Sequence, residues 1–228
     1  MKRSCLCVFV ICLLGASAVR AAAILTGPVA QCSTFAADKS DPNDLAIQFA
    51  AFSAANFACE QQDKIYSNFS LGALPGTSTL RIQLQPLGLV DFHTVTFNGN
   101  FGADFLLSYD IAIDLVLSPL NLITSVTGDI SNPTNVGAPS NLKTVFTEGG
   151  VMIGTLTSTP GNPGSAIATA NTALHVTDAY SAGGGATVSI SNTFREDLTA
   201  GAPETYSYLL VGGGFLLMAS LRRIRRRG

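Results

Sequence analysis

The chain has 228 residues, enough for one domain with a substantial core. Its formal net charge is only −2, but residues 22–204 contain all 15 acidic residues and five basic ones, a net charge of −10. Such an acidic body argues against a nucleic-acid-binding protein, because binding to phosphates depends on lysine and arginine. We therefore expect no nucleic-acid partner.

The N-terminus has the order of features found in a secretory signal peptide. Lys2 and Arg3 are followed by an apolar stretch over residues 5–14 and then by small residues up to Ala21. The apolar stretch is shorter than the roughly 20 residues needed to cross a bilayer. We predict a signal peptide over residues 1–21, recognised by the secretion machinery and removed by signal peptidase after Ala18 or Ala21. An anchor that is never cut is the alternative.

Five cysteines are present, and three of them lie in the predicted signal peptide. The mature chain therefore keeps a single pair, Cys32 and Cys59. Because exported compartments are oxidising, we predict a disulfide between them, with two free buried thiols as the alternative. The bond would close a loop of about 28 residues and contribute roughly 3.5 kcal/mol by loop-entropy arithmetic.

Between the two cysteines the pattern favours a short helix. Asp41 and Pro42 suit an N-cap and a first helical position, and Asp44 adds an acidic residue to the first turn. Apolar residues then follow at helical spacing: Leu45, Phe49, Phe52 and Ala55. These features predict a helical, disulfide-closed segment over residues 22–63.

From residue 64 onward apolar and polar residues alternate with a period of two, which is typical of half-buried strands. The longest such run covers residues 105–117. Further strands are predicted over residues 65–71, 79–85, 92–98, 122–130, 142–147, 151–157, 173–180 and 186–194. Clusters of Gly, Pro and Asn separate these runs as turns. About nine strands without alternating helices predict a mainly β protein, with an antiparallel β-sandwich domain over residues 64–199.

No group of residues has the spacing of a known catalytic or metal site. The two histidines, His93 and His175, fall within strand patterns, and we interpret them as surface residues paired across strands. Asp110 and Asp114 share the polar face of the 105–117 strand but are about 13 Å apart at ~3.3 Å per residue. That separation exceeds the spacing of paired glycosidase carboxylates. We therefore predict no catalytic residue, no metal and no cofactor.

Two groups of acidic residues are candidate calcium ligands, since calcium takes oxygen ligands from loops. Asp38, Asp41 and Asp44 are spaced by three residues, and Glu196 adjoins Asp197 near the end of the predicted domain. Neither group follows a known calcium loop. We interpret both groups as solvated acids.

Aromatic residues give limited support for sugar binding, because the chain has no tryptophan. A phenylalanine-rich stretch is interpreted as core rather than as a sugar platform: Phe92, Phe97, Phe101 and Phe105. Three tyrosines remain as candidate sugar-stacking residues: Tyr66, Tyr109 and Tyr180.

The C-terminus has the order of a membrane anchor. Residues 205–221 carry no charge and are mostly apolar, and as a helix they would reach roughly 25 Å, a minimal membrane span. A basic tail follows: Arg222, Arg223, Arg225, Arg226 and Arg227. By the positive-inside rule this tail stays in the cytoplasm, and the rest of the chain lies on the other side. We predict a transmembrane helix over residues 205–221.

Pro203 and Glu204, the glycine-containing apolar segment and the arginine tail together resemble the PEP-CTERM sorting signal of Gram-negative bacteria. The resemblance covers about 26 residues within 200–228, and Thr205 stands where that family usually has proline. It implies that Pro203 and Glu204 form the sorting motif read by an exosortase-type transpeptidase, which removes the tail. Residues 59–70 and 93–101 are also similar to segments of uncharacterised exported proteins with the same tail.

The resemblance implies an inner-membrane-anchored precursor that is then released to the cell surface or the extracellular space. Proteins with this signal are associated with exopolysaccharide and biofilm, so an exopolysaccharide is a further expected partner. We expect a non-enzymatic protein of the cell envelope or extracellular matrix. The alternative is a carbohydrate-binding module for self-produced polysaccharide, and a glycoside-processing enzyme is third.

Overall fold

A computed structural model describes residues 28–131 and 136–198. These residues form twelve strands, a 3-10 turn at Cys32–Thr34 and one four-residue helix, α1, at Phe49–Phe52. In chain order the strands are β1 (Asp44–Gln48), β2 (Cys59–Gln61), β3 (Lys64–Ser70), β4 (Thr79–Leu87), β5 (Val90–Phe101), β6 (Phe105–Ile113), β7 (Asn121–Ser131), β8 (Ser140–Thr147), β9 (Met152–Ser158), β10 (Ile167–Asn171), β11 (Ala173–Ser181) and β12 (Thr187–Leu198).

The predicted signal peptide and the whole predicted sorting signal lie outside the described residues, including Pro203, Glu204, the 205–221 span and the arginine tail. Within the described ranges, no helix has the length and apolar character needed to cross a membrane.

The twelve strands form two six-stranded antiparallel sheets. The first sheet has the order β1-β4-β5-β12-β7-β10, and the second has the order β2-β3-β6-β11-β8-β9. Their inner faces pack against each other: the ring of Phe97 on β5 lies 5.8 Å from the ring of Tyr109 on β6, centroid to centroid. The protein is therefore mainly β, as the period-two pattern predicts, and its fold is a β-sandwich.

The inner faces follow the alternation of the strands. On β12, Ile190, Asn192, Phe194 and Glu196 are all buried, and on β11 the buried set includes Leu174, Val176, Asp178 and Tyr180. Side chains at i and i+2 share one face of a strand, so Asn192, Glu196 and Asp178 enter the core together with their apolar neighbours. The core thus contains polar groups that must find partners inside the protein.

The helix predicted at Leu45–Ala55 is largely wrong. Asp41 accepts the backbone N–H of Asn43 on its side chain at 2.9 Å, and its carbonyl accepts the N–H of Asp44 at 3.2 Å. The residues that suited a helix cap therefore form a turn that leads into β1, which pairs with β4. Only Phe49–Phe52 is helical.

The predicted disulfide is confirmed. Cys32 and Cys59 are bonded to each other, and both are fully buried. The bond ties the 3-10 turn at Cys32–Thr34 to β2 at one edge of the second sheet. The N-terminal part of the described chain is thus fixed covalently to the sandwich.

All nine predicted strands are present, but β6 ends at Ile113 rather than at residue 117. The reason is a turn at Asp114, whose side chain accepts the N–H of Val116 at 2.8 Å and whose carbonyl accepts the N–H of Leu117 at 3.1 Å. The short strands β2 and β10 have too few residues for a clear period, and the prediction omits both.

Candidate functional site

Two groups of polar side chains are buried between the sheets, and each contains a lysine with a fully buried side chain. Lysine is almost never fully buried unless its ammonium is paired. The first group, the Lys64 cluster, comprises Asp63, Lys64, His93 and Glu196. The second group, the Lys143 cluster, comprises Asn141, Lys143, Asp178 and Asn192. These clusters are the chemically richest parts of the described structure.

In the Lys64 cluster the lysine bridges two carboxylates. Lys64 Nζ donates to Asp63 Oδ1 at 2.8 Å and to Glu196 Oε2 at 2.5 Å. His93 Nε2 lies 3.4 Å from the same Glu196 oxygen, and His93 Nδ1 lies 3.4 Å from the Tyr66 hydroxyl. Lys64 and Tyr66 come from the second sheet, whereas His93 and Glu196 come from the first. The cluster is therefore an ionic contact across the sandwich.

The electrostatics of the Lys64 cluster follow from burial and from the lysine charge. Burial by itself would raise the pKa of Asp63, but the Lys64 ammonium outweighs this effect and lowers the pKa to about 2. For His93, burial lowers the pKa below its ordinary value of 6.5 more than Glu196 raises it. Asp63 is therefore held as a carboxylate, and His93 is held neutral.

Asp63, His93 and Glu196 also bring potential metal ligands together, with one ligand atom from each residue lying within 4.8 Å of the others. A divalent cation would suit such a set of oxygen and nitrogen ligands. However, the ammonium of Lys64 already lies between the two carboxylates. The chain supplies its own cation there, so the arrangement fits an ion-paired core better than a metal site.

The Lys143 cluster lies where the paired strands β8 and β11 of the second sheet face the paired strands β7 and β12 of the first. Lys143 is directly opposite Asp178 in the β8–β11 pairing, and Gly128 is directly opposite Asn192 in the β7–β12 pairing. Lys143 Nζ contacts both Asp178 Oδ1 and Asn192 Oδ1. Asp178 also accepts hydrogen bonds from Asn141 Nδ2 at 2.6 Å and from Asn192 Nδ2 at 2.8 Å. All four cluster members are fully buried.

Gly128 leaves the space through which the Lys143 side chain reaches the first sheet. A Cβ atom at position 128 would lie 2.7 Å from Lys143 Cε, too close for any side chain to be accommodated unchanged. Burial lowers the pKa of Lys143 more than the neighbouring Asp178 carboxylate raises it. The amine thus contacts an amide group in a site that shifts its protonation equilibrium toward the uncharged form.

The interpretation of both histidines as surface residues is wrong for His93, which is fully buried. His175 is mostly buried on the outer face of the second sheet, where its Nδ1 lies 2.5 Å from Asp110 Oδ1. Asn68 donates to the other oxygen of Asp110 at 2.6 Å. Asp110 is thus buried and paired, while Asp114 lies in the turn after β6 and the two do not form a carboxylate pair.

The two groups of acidic residues that we interpret as solvated acids differ in their burial in the structure. Glu196 is buried in the Lys64 cluster, so its interpretation as a solvated acid is wrong, while the neighbouring Asp197 is partly exposed and bonded to Arg195 at 2.9 Å. Asp38, Asp41 and Asp44 stay at the surface. Asp44 is paired with Arg81, whose Nε donates to Asp44 Oδ1 at 2.7 Å.

The three candidate sugar-stacking tyrosines are all buried, with exposed fractions of 0%, 0% and 2% for Tyr66, Tyr109 and Tyr180. Tyr180 donates its hydroxyl to the backbone carbonyl of Phe101 at 2.9 Å. None of the three can stack on a sugar at the surface, and this prediction is wrong. Phe97 and Phe101 belong to the core and Phe105 packs against it, as expected, whereas Phe92 is half-buried outside the core.

The burial of Lys64, Lys143 and Asn192 is not among the sequence predictions, although the alternation in β8 gives one indication of it. Asn141 and Lys143 alternate in phase with Val145, which is buried, so the polar residues share the inner face of β8. A lysine in phase with core residues indicates a buried charge. The partner residues lie on other strands, and no local pattern relates them to it.

Comparison with known proteins adds little to this geometry. No protein-family model matches the chain, and no curated protein matches it. Among solved structures, the chain is similar to the arabinose-bound α-L-arabinofuranosidase MgGH51, with 13% sequence identity and a TM-score of 0.30. The match covers 74% of this chain but only 26% of that enzyme, so the chain spans about a quarter of the enzyme's length. A likeness of this size carries no argument about activity.

Proposed function

We propose that the protein is a non-enzymatic structural or interaction protein of the bacterial cell envelope or extracellular matrix. The observation that carries the proposal is the location of its reactive side chains. Among the described residues, Lys64 and Lys143 are buried between the sheets and paired with Glu196 and Asp178, respectively, and His93 is buried beside Glu196. Groups arranged in this way stabilise a fold, and a dissolved substrate has no direct access to them.

Export is the second element of the proposal. The Cys32–Cys59 disulfide suits an oxidising compartment, and the acidic charge of residues 22–204 suits solubility outside the membrane. The resemblance of Pro203, Glu204 and the arginine tail to a PEP-CTERM signal supports sorting by an exosortase-type enzyme. Under this proposal the sandwich is first anchored in the inner membrane and then released to the surface.

The sorting step is tested by intact-mass measurement of the protein made in an exosortase-bearing host and in an exosortase-deficient strain. We expect the mature protein from the competent host to lack residues from about 205 to 228, and the deficient strain to retain them in its inner membrane. A Thr205→Pro variant, which restores the usual family motif, is the matched control. A tail that persists on the wild-type protein and is removed only from Thr205→Pro would contradict sorting of the natural chain.

A carbohydrate-binding module is the second candidate, and one surface feature favours it. A depression of about 300 Å³ on the first sheet is lined by an aromatic ring, amides and acids, among them Phe92, Gln83, Gln85, Asn43 and Asp41. Such a mixture suits sugar hydroxyls and the apolar face of a ring.

Pull-down on the polysaccharide secreted by the same host tests this candidate. Binding that saturates and falls at least tenfold in Phe92→Ala, but not in Leu89→Ala, would favour the module. Leu89 is exposed and lies outside the depression, so its substitution controls for nonspecific adsorption through apolar surface residues. Equal, weak binding by all three proteins would leave the structural role as the better description.

A further inference from the structure

We propose that Lys143 and Asn192 become joined by a covalent amide bond between Lys143 Nζ and Asn192 Cγ, with release of ammonia. The proposal rests on the geometry of the Lys143 cluster and is independent of the cellular role proposed above. It makes the cluster a site of self-modification that ties the two sheets together.

The first argument is the placement of the reacting groups. Lys143 Nζ is in direct contact with the side-chain amide of Asn192, and both residues are fully buried. The two lie on different sheets, on β8 and β12, and Gly128 opens the path between them. Holding an amine against a carbonyl carbon in one orientation replaces a bimolecular encounter by an intramolecular step.

The second argument is the chemical state of the amine. A lysine attacks a carbonyl only as the free amine, and burial away from water shifts its protonation equilibrium toward that form. Burial lowers the pKa of Lys143 despite the nearby carboxylate. Asp178, directly opposite on β11, contacts Nζ and can take up the proton that the ammonium releases. Proton transfer within this pair gives an amine and a carboxylic acid, and the buried site then holds no charge.

The third argument is a proton path for the leaving group. A half-turn of the Asn192 amide exchanges its oxygen and nitrogen, and this places the carbonyl oxygen against Asp178 Oδ2, where the amide nitrogen otherwise lies at 2.8 Å. Once its acid proton lies on Oδ2, the carboxyl of Asp178 donates to that oxygen and polarises the carbonyl. Asn141 donates to the other Asp178 oxygen at 2.6 Å and holds the carboxyl in position.

The reaction balances without any further reagent. The lone pair of Lys143 Nζ forms a bond to Asn192 Cγ, and the Asp178 proton moves to the carbonyl oxygen of the tetrahedral intermediate. The attacking nitrogen then loses a proton, the former amide nitrogen gains one, and the bond from Cγ to that nitrogen breaks. The hydroxyl proton returns to Asp178 as the carbonyl reforms. A primary amine and a primary amide thus give a secondary amide and ammonia, and Asp178 is regenerated as the acid.

The Lys64 cluster is a control inside the same protein. Lys64 is equally buried, but it contacts two carboxylates and no amide. A carboxylate repels a nucleophile and offers no neutral leaving group, so Lys64 is expected to remain a free lysine. The two lysines therefore share their burial and differ in the acyl group beside them.

The full-length protein, purified, denatured and reduced, tests the proposal by peptide mass spectrometry. Lys143 is the only lysine or arginine between Arg81 and Arg195, and Glu148 is the only glutamate between them. Trypsin with a glutamate-specific protease should therefore yield residues 82–148 joined to residues 149–195. The joined species should be lighter than the sum of its two parts by about 17 Da, the mass of ammonia. Trypsin should not cleave after Lys143 but should cleave after Lys64.

The variants Asn192→Ala and Asp178→Asn should give only the separate peptides 82–143, 144–148 and 149–195. Asn171→Ala, which changes an asparagine on β10 outside the cluster, should retain the joined species. Because substitutions in the core can prevent folding, the wild-type protein decides the question by itself. If it yields peptide 82–143 at its unmodified mass, with cleavage after Lys143 as complete as after Lys64, the cross-link does not exist. A loss of ammonia on a peptide that is not joined at Lys143 would equally overturn it.

Discussion

The two buried lysines occupy similar places and have different surroundings. Both extend from the inner face of the second sheet toward β12, where Glu196 receives Lys64 and Asn192 contacts Lys143, with Phe194 between them. The Lys64 cluster has two carboxylates and a histidine, whereas the Lys143 cluster has one carboxylate and two amides. The difference teaches that burial alone does not decide what a core lysine does. Carboxylates hold it as an ion pair, and an adjacent amide gives it an acyl group to attack.

The largest effect is expected from removing a charge partner of Lys64. Glu196→Ala leaves the lysine with Asp63 as its remaining partner, and we expect a loss of about 3–5 kcal/mol in the free energy of unfolding, because a buried charge is left undercompensated. Urea denaturation measures the loss. Asp197→Ala is the matched control: its carboxylate is partly exposed and should contribute at most about 1 kcal/mol. Equal losses in the two variants would show that the buried ion pair contributes no more to the free energy of unfolding than the partly exposed one.

A smaller effect is expected from closing the space beside Lys143. Gly128→Ala places a methyl group 2.7 Å from Lys143 Cε, which should displace the lysine from Asn192. We expect a loss of about 1–3 kcal/mol from overpacking and a reduced fraction of the joined peptide.

Gly102→Ala serves as the control for this change, because no atom lies within 4 Å of the added methyl group. Urea denaturation and the same peptide digest are applied to both variants. A wild-type level of the joined peptide in Gly128→Ala would mean that the glycine is not needed for the approach of the lysine.

The smallest expected effect is a dependence of stability on pH that is caused by the Lys64 cluster. The unfolded chain protonates His93 near its ordinary pKa of 6.5, whereas the folded protein keeps this pKa lower because the ring is buried. The unfolded state therefore binds more protons below pH 6.5, and stability should fall as the pH decreases through that value. For Asp63, stability is present above the ordinary pKa of 3.8 and is lost as the pH falls toward about 2.

Urea denaturation between pH 7 and pH 5 in wild type and in His93→Gln separates these effects. The variant should lose stability less steeply with falling pH, because glutamine does not titrate. Parallel curves for the two proteins would remove His93 as the cause.

In the Lys143 cluster, an amide-linked lysine does not titrate. The stability of Asn192→Ala should therefore acquire a dependence on pH below pH 10.5 that the stability of the wild type lacks.

Much of the fold was accessible from the sequence, because the period of two is a local property of each strand. The alternation around Tyr109 in β6 predicts its inner face correctly, and the pair Cys32 and Cys59 predicts the disulfide. The wrong predictions arose where one local sequence pattern is compatible with two different structures. Asp41 and Pro42 suit a helix start, but the same residues form a turn once β1 pairs with β4.

The candidate site was largely beyond reach of the sequence, because its members are close only in the folded chain. Lys143 and Asn192 lie 49 positions apart, and their contact depends on the registers of β8 with β11 and of β7 with β12. A shift of either register by one residue would turn one of them to the outer face. Likewise, nothing local to His93 or Glu196 distinguishes a surface residue from a member of a buried ion-paired cluster.

The sequence by itself determined the class of fold, the disulfide and the acidic charge of the body, since these depend on composition and on short-range periodicity. It also provides the resemblance of the C-terminal segment on which the proposed export rests. Only the tertiary structure decided which polar residues entered the core and what each of them contacted. The physical reason is that strand pairing and sheet packing join residues from distant parts of the chain, and burial then makes each pairing obligatory.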